Sequence, residues 1–183
     1  PIQGRLADRF VAFFAQLMDS QVDYHIGVVT TDVPEEQGKL RQYGEDVNNP
    51  ERPHGEPLPN CGGDCRFISR NISCDNIERT NSCHARKVFE NLIHVGNTGA
   101  NYEQGLLAAA TALGLTFDAE NQPIPGPEEN ATFLREDADL HVIFVSDEDD
   151  FSHGREAYWA ARYYTRLLEG AKGAGNENRV TVS

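Results

Sequence analysis

A near-continuous apolar run close to the C-terminal end of the chain constrains the fold more than any other feature. Residues 140–145 read LHVIFV, and acidic residues lie on both sides of the run, at 136–139 and at 147–150. A strand without regular polar alternation is typical of a parallel sheet whose two faces are both covered. The run therefore predicts a buried strand of an α/β fold, with an acidic loop directly after it.

Helical and strand-like patterns alternate along the rest of the chain. Helices are predicted at 2–18, 84–92, 101–113 and 154–169, and strands at 24–31, 140–145 and 180–182. This alternation predicts a Rossmann-like, doubly wound and mostly parallel sheet with helices on both faces. Gly114 is predicted to end the third helix. The chain has 183 residues, the size of one ordinary domain, so residues 1–183 are predicted to form a single domain.

Two polar segments interrupt the pattern. Residues 34–83 are rich in proline and contain all four cysteines, so they are predicted to form a long insertion. Residues 118–130 contain three further prolines and are predicted to form a loop.

The cysteines indicate an oxidising compartment. An even number within one loop-like segment favours two disulfides, and hence an extracytoplasmic protein that is periplasmic, on the cell surface or secreted. A zinc site with His84 or His94 is the first alternative, although the spacings lack the paired C-x2-C motifs of structural zinc sites. Free thiols are the second alternative. Four cysteines allow three pairings, and the sequence does not choose among them. The cysteines are Cys61, Cys65, Cys74 and Cys83.

Charge and hydropathy exclude two classes of partner. A formal net charge of −13 repels nucleic acid, and the sequence contains no local basic patch that would offset it. No apolar run approaches the length of about 18 residues that a membrane span needs, so membrane insertion is not expected. A cation is the better small partner for such a chain.

The order of several short motifs resembles a von Willebrand factor A domain of the bacterial exported type, which includes lipoproteins. Residues 24–32 read YHIGVVTTD, residues 96–99 read GNTG before a helix, and residues 103–106 read EQGL. Residues 142–148 read VIFVSDE. The resemblance covers most of the chain outside the 34–83 insertion, and it rests on the order of the motifs more than on any one of them.

The resemblance implies a metal-ion-dependent adhesion site at the carboxyl ends of the strands. In that family three loops supply an Asp-x-Ser-x-Ser motif, a Thr and an Asp; Thr98 matches the second loop and Asp147 the third. Asp32 ends a strand at the same edge and is a weaker addition. Mg²⁺ or Mn²⁺ is expected in preference to Ca²⁺, since hydroxyls, few carboxylates and waters suffice. Thr98 as a turn or cap residue, and Asp147 as part of a solvated loop, are the simpler alternatives.

The first loop of that site has no counterpart in the sequence. The resemblance places it on a strand before the first helix, so that strand and the C-terminal end of the fold are expected outside residues 1–183. The two matched residues alone would bind a cation poorly.

The resemblance favours a binding or adhesion module that recognises a protein or glycan ligand, and not an enzyme. One alternative is a metal-assisted hydrolase that uses the acids at 147–150 with His153. Another is a structural component of a larger assembly, in which a further segment or chain supplies the missing strand.

Overall fold

A computed structural model gives the fold of part of the chain. The residues that it describes are 9, 13, 16, 17, 20–41, 66–69, 89, 92–95, 102–152 and 157–183. Helices and strands are mixed, which confirms the α/β class. The doubly wound sheet is not shown, because the described strands pair as three separate two-stranded sheets.

Residue contacts divide the chain into two compact units. The first contains Pro1–Val28 and Arg41–Thr98, and the second contains Val29–Leu40 and Gly99–Ser183. No helix in the described part of the chain is long and apolar enough to cross a membrane.

The first unit contains an antiparallel strand pair. Strand β1 (His25–Gly27) pairs with β2 (Phe67–Ser69), with Ile26 opposite Ile68. The strand predicted at 24–31 is thus shorter than expected, and β2 lies in the segment predicted as an insertion without strands. Buried apolar side chains form the core of this unit, namely Tyr24, Ile68, Phe89, Leu92 and Ile93.

In the second unit, helix α1 (Val33–Glu36) comes first, in a segment predicted as loop, and helix α2 (Gly105–Ala112) follows it. Gly114 has φ +67°, and its N–H donates to the carbonyl of Thr111 at 3.0 Å. The N–H of Leu115 donates to the carbonyl of Ala110 at 2.9 Å. These two bonds form a Schellman motif, in which a left-handed residue satisfies the last carbonyls of a helix. Gly114 therefore ends the helix, as predicted.

The polar segment after α2 is more ordered than the sequence predicted. Strands β3 (Thr116–Phe117) and β4 (Pro123–Ile124) form an antiparallel hairpin, and a 3₁₀ turn follows at Glu128–Asn130. Asn130 is buried, and its side chain accepts from the Leu40 N–H at 2.9 Å. Its amide nitrogen donates to the carbonyls of Gly38 and Ala112 at 2.9 and 3.1 Å. This one side chain holds segment 38–40 against the end of α2.

The C-terminal part of the second unit is a strand–helix–strand crossover. Strand β5 (Leu140–Val142) pairs in parallel with β6 (Val180–Val182), and helix α3 (Ala157–Glu169) connects them. The ladder continues beyond β5, because the N–H of Phe144 donates to the carbonyl of Ser183 at 2.8 Å.

Only one face of β5 is covered. Side chains of a strand alternate between its faces, and Leu140 is buried whereas Ile143 and Val145 are 45% and 51% exposed. The expectation that both faces are buried is therefore wrong for these two residues. On the covered side α2 packs against α3 around buried Ala110 and Tyr164, with four partly buried leucines around them: Leu106, Leu107, Leu115 and Leu167.

Candidate functional site

The loop that follows β5 carries the predicted acids at the carboxyl end of a parallel strand. Asp147, Glu148 and Asp149 are exposed. The hydroxyl of Ser146 accepts from the Glu148 N–H and donates to the Glu148 carbonyl, both at 3.1 Å. This local turn gives the acidic sequence a defined backbone path while its carboxylates face solvent.

Asp150 and Ser152 attach this loop to the N-terminus of α2. Gln104, which precedes the helix, makes no side-chain capping bond. Instead the Leu106 N–H donates to Oδ2 of Asp150 and the Leu107 N–H donates to Oγ of Ser152, both at 2.9 Å. The first N–H groups of a helix lack partners within it, and a negative charge at that end is stabilising. The loop thus caps a helix that is distant in sequence.

The second oxygen of Asp150 is also engaged. Oδ1 accepts from the Ser152 N–H at 2.9 Å, so both oxygens already have a backbone donor. The hydroxyl of Tyr164 donates to the carbonyl of the buried Ser152 at 3.4 Å. Burial raises the pKa of Tyr164, and the nearby Tyr163 and Asp150 raise it further. Tyr164 therefore remains a neutral donor, and Asp150 serves the structure of the loop.

Three segments of the second unit meet at Gly105. A Cβ atom at this position would lie 3.4 Å from Cγ2 of Thr31, 3.5 Å from Oδ2 of Asp150 and 3.6 Å from Cδ1 of Phe144. The Thr31 carbonyl also accepts from the Gln104 N–H at 3.0 Å. We call Thr31, residues 103–107 and residues 147–152 the rim. These are ordinary van der Waals distances, so the three segments lie in contact around the start of the helix.

Asp32, the weaker metal candidate, lies one residue beyond the rim and caps α1. Its Oδ1 accepts from the Glu35 N–H at 3.3 Å. Thr30 lies on the other side of Thr31, and its buried hydroxyl has no hydrogen-bond partner in the described part of the chain. A buried hydroxyl without a hydrogen-bond partner lowers the stability of the folded state by about 1–3 kcal/mol, so such atoms are uncommon in native proteins.

The oxygen atoms at the rim are of the types that bind a hard cation. Carboxylate and hydroxyl oxygens are the ligands that Mg²⁺ and Mn²⁺ take in proteins. Among the residues that the structure describes, however, no three His, Cys, Asp or Glu side chains converge to hold a metal ion. Thr98, predicted for the cation site, and His153, predicted for the hydrolase alternative, lie outside the described residues. The four predicted disulfide cysteines, Cys61, Cys65, Cys74 and Cys83, also lie there.

The capping roles of Asp150 and Ser152 were not predicted from the sequence. One signal was available: the sequence before α2 is Tyr-Glu-Gln-Gly and offers no Ser, Thr, Asp or Asn at the usual capping position. A helix start without a local cap indicates that a residue from elsewhere supplies the acceptors. The sequence does not say which one.

Comparison with known proteins gives no match, whether to a family model, to a curated protein or to a solved structure. The resemblance to von Willebrand factor A domains therefore stays a prediction from the motifs.

Proposed function

We propose that the chain is an extracytoplasmic binding module that recognises a protein or glycan ligand through a divalent cation at the rim, with Asp147 as a cation ligand. One observation carries the proposal. Asp147, Glu148 and Asp149 are exposed in succession at the end of a parallel strand, and none forms an ion pair within the described residues. The same loop is held in place by Asp150 and Ser152.

The electrostatics of this loop favour a cation. Adjacent carboxylates repel one another, and a divalent ion between them relieves that repulsion. Because the capping bonds of Asp150 and Ser152 already order the loop, binding does not have to supply that ordering free energy. The resemblance adds Thr98 as a hydroxyl ligand, with Mg²⁺ or Mn²⁺ as the ion and an open position for a partner's carboxylate. The parallel β5–α3–β6 crossover would be one part of the larger, doubly wound sheet.

A second candidate function, a structural component of an assembly, is favoured by the open side of β5. The bonds to β6 use the backbone of residues 142 and 144, so the N–H and C=O groups of Ile143 point to the other edge. No described strand pairs there. Another segment or chain could add a strand at this edge. Such pairing needs no cation, and this difference separates the two functions.

Manganese binding tests the first proposal directly. Calorimetric titration of the chain with Mn²⁺ should show weak binding, because only two of the ligands that the resemblance implies lie within residues 1–183. Asp147→Ala should weaken that binding by about tenfold or more, because hard-ion affinity follows the number and charge of the oxygen ligands. Thr98→Ala should weaken it by a smaller factor. Asp137→Ala is the matched control, since Asp137 is an exposed acid away from the rim and its loss should leave binding unchanged.

Three results would contradict the proposal. If the chain binds no Mn²⁺, or if Asp147→Ala binds as tightly as the unaltered chain, Asp147 is not a ligand. If the chain with added metal hydrolyses phosphoester, peptide or glycoside substrates, and Asp147→Ala abolishes that turnover, the hydrolase alternative replaces the binding module.

A further inference from the structure

The outward side of α3 carries a surface that the rim does not use. Arg162, Tyr163, Arg166 and Leu167 line an open concavity of about 610 Å³. On a helix, residues four positions apart are neighbours, so the two arginines lie side by side and Tyr163 lies beside Leu167 in the adjacent row. We call these four residues the α3 surface.

The two arginines of this surface lack the acidic partners that Lys39 and Arg179 have. Lys39 pairs with Glu129 and Arg179 pairs with Asp139, each at 2.9 Å. Arg162 and Arg166 are exposed, and neither forms an ion pair within the described residues. The chain has a formal net charge of −13, so two neighbouring arginines without an ion pair among the described residues make this surface locally basic. No acid in the described part of the chain neutralises either guanidinium group by an ion pair.

The surface also has an apolar part, which Tyr163 and Leu167 form beside the two arginines. Tyr163 is 47% exposed, and its ring contacts Tyr164 edge-on, with centroids 5.1 Å apart. Tyr164 is buried, so the exposed ring of Tyr163 packs against a side chain that is held in the core. Leu167 packs against the core and also lines the concavity. Tyrosine and arginine are among the residue types enriched at the energetically important positions of protein interfaces.

We propose that the α3 surface docks an acidic segment of a partner protein. Guanidinium groups bind carboxylates through paired N–H donors, and two of them side by side favour a segment with closely spaced acids. One apolar side chain of that segment would lie on Tyr163 and Leu167. The net charge of −13 disfavours an acidic partner over most of the chain, so the two arginines direct such a segment to this surface. This docking is separate from the cation site at the rim.

Fluorescence anisotropy with a defined probe tests the surface. The probe is a short fluorescein-labelled peptide of glutamates with one central leucine, and the same peptide with lysines in place of glutamates is its control. At low salt the chain should bind the acidic peptide, and R162A together with R166A should weaken binding about tenfold or more. Arg9→Ala, at an exposed arginine in the other unit, should change little. Asp147→Ala and added chelator should also leave peptide binding unchanged.

The outcomes separate the proposal from its alternatives. Equal binding by the double variant, with an unchanged thermal midpoint to show that it folds, overturns the proposal, as does tighter binding of the lysine peptide. Binding of a sulfated oligosaccharide without binding of the acidic peptide would make the occupant a glycan. Concentration-dependent self-association that the double variant abolishes, again without peptide binding, would make it a second copy of this chain.

Discussion

The side chains of the acidic loop at the rim are of two kinds: some accept hydrogen bonds that hold the loop in place, and others are exposed to solvent. Asp150 and Asp147 are both acids of the same short sequence, yet Asp150 accepts two backbone N–H groups and Asp147 is exposed. Their spacing in the sequence cannot reveal this difference. Asp150 and Ser152 cap a helix whose N–H donors, those of Leu106 and Leu107, lie 44 and 45 residues away along the chain. Composition identified the acidic loop, and tertiary contact assigns the roles within it.

Replacing Asp150 should therefore cost stability, whereas replacing its neighbour should not. Asp150→Ala leaves the Leu106 N–H without an acceptor and removes a negative charge from the helix N-terminus, so we expect a loss of about 1–2 kcal/mol in the free energy of unfolding. Urea unfolding followed by circular dichroism measures the change. Asp149→Ala is the control, because Asp149 is exposed, and it should stay within about 0.5 kcal/mol of the unaltered chain. An equal loss in both variants would mean that the loop is sensitive only to its total charge.

At the level of elements, the sequence predicts those that are long enough to show a periodic apolar pattern and those that end at a distinctive residue. Helix α2 and its end at Gly114 follow from apolar spacing and the conformational freedom of glycine. The strands β2, β3 and β4 were missed because two or three residues are too few to show a period of two. The arrangement of strands into a larger sheet depends on contacts between distant segments, which local patterns do not contain.

Gly114 gives a test of the best-predicted element. Its φ of +67° is unfavourable for other residues, and an added Cβ would lie 2.7 Å from the backbone nitrogen of Gly126. Gly114→Ala should therefore destabilise the chain by more than about 1 kcal/mol. Gly170→Ala is the matched control, because an added Cβ there meets nothing within 4 Å, and it should be close to neutral. If thermal unfolding gave the same midpoint for both variants, the Schellman motif would not be limiting stability.

At the level of the whole molecule, an excess of acids opposes the compact state. The chain has 29 acidic and 16 basic residues, and the repulsion among its acids is partly screened by salt. We expect the thermal midpoint to rise by a few degrees as NaCl increases from about 20 mM to about 200 mM. The exposed acids at 147–149 are adjacent and carry no ion pair within the described residues, so they should account for a large share of this response.

Two triple variants with the same net charge distinguish a general effect of charge on stability from the binding of a cation at the loop. The loop variant replaces the acids at 147–149 with their amides, and the dispersed variant does so at three exposed acids elsewhere, Glu120, Glu128 and Asp137. Both should respond less to NaCl than the unaltered chain. At equal ionic strength, MgCl₂ should raise the midpoint further than NaCl in the unaltered chain and in the dispersed variant, because an ion bound only by the folded state stabilises it. The loop variant should lose this additional rise. If MgCl₂ acts alike on both variants, the loop lowers stability through its charge alone, and the proposed cation site must lie elsewhere in the chain.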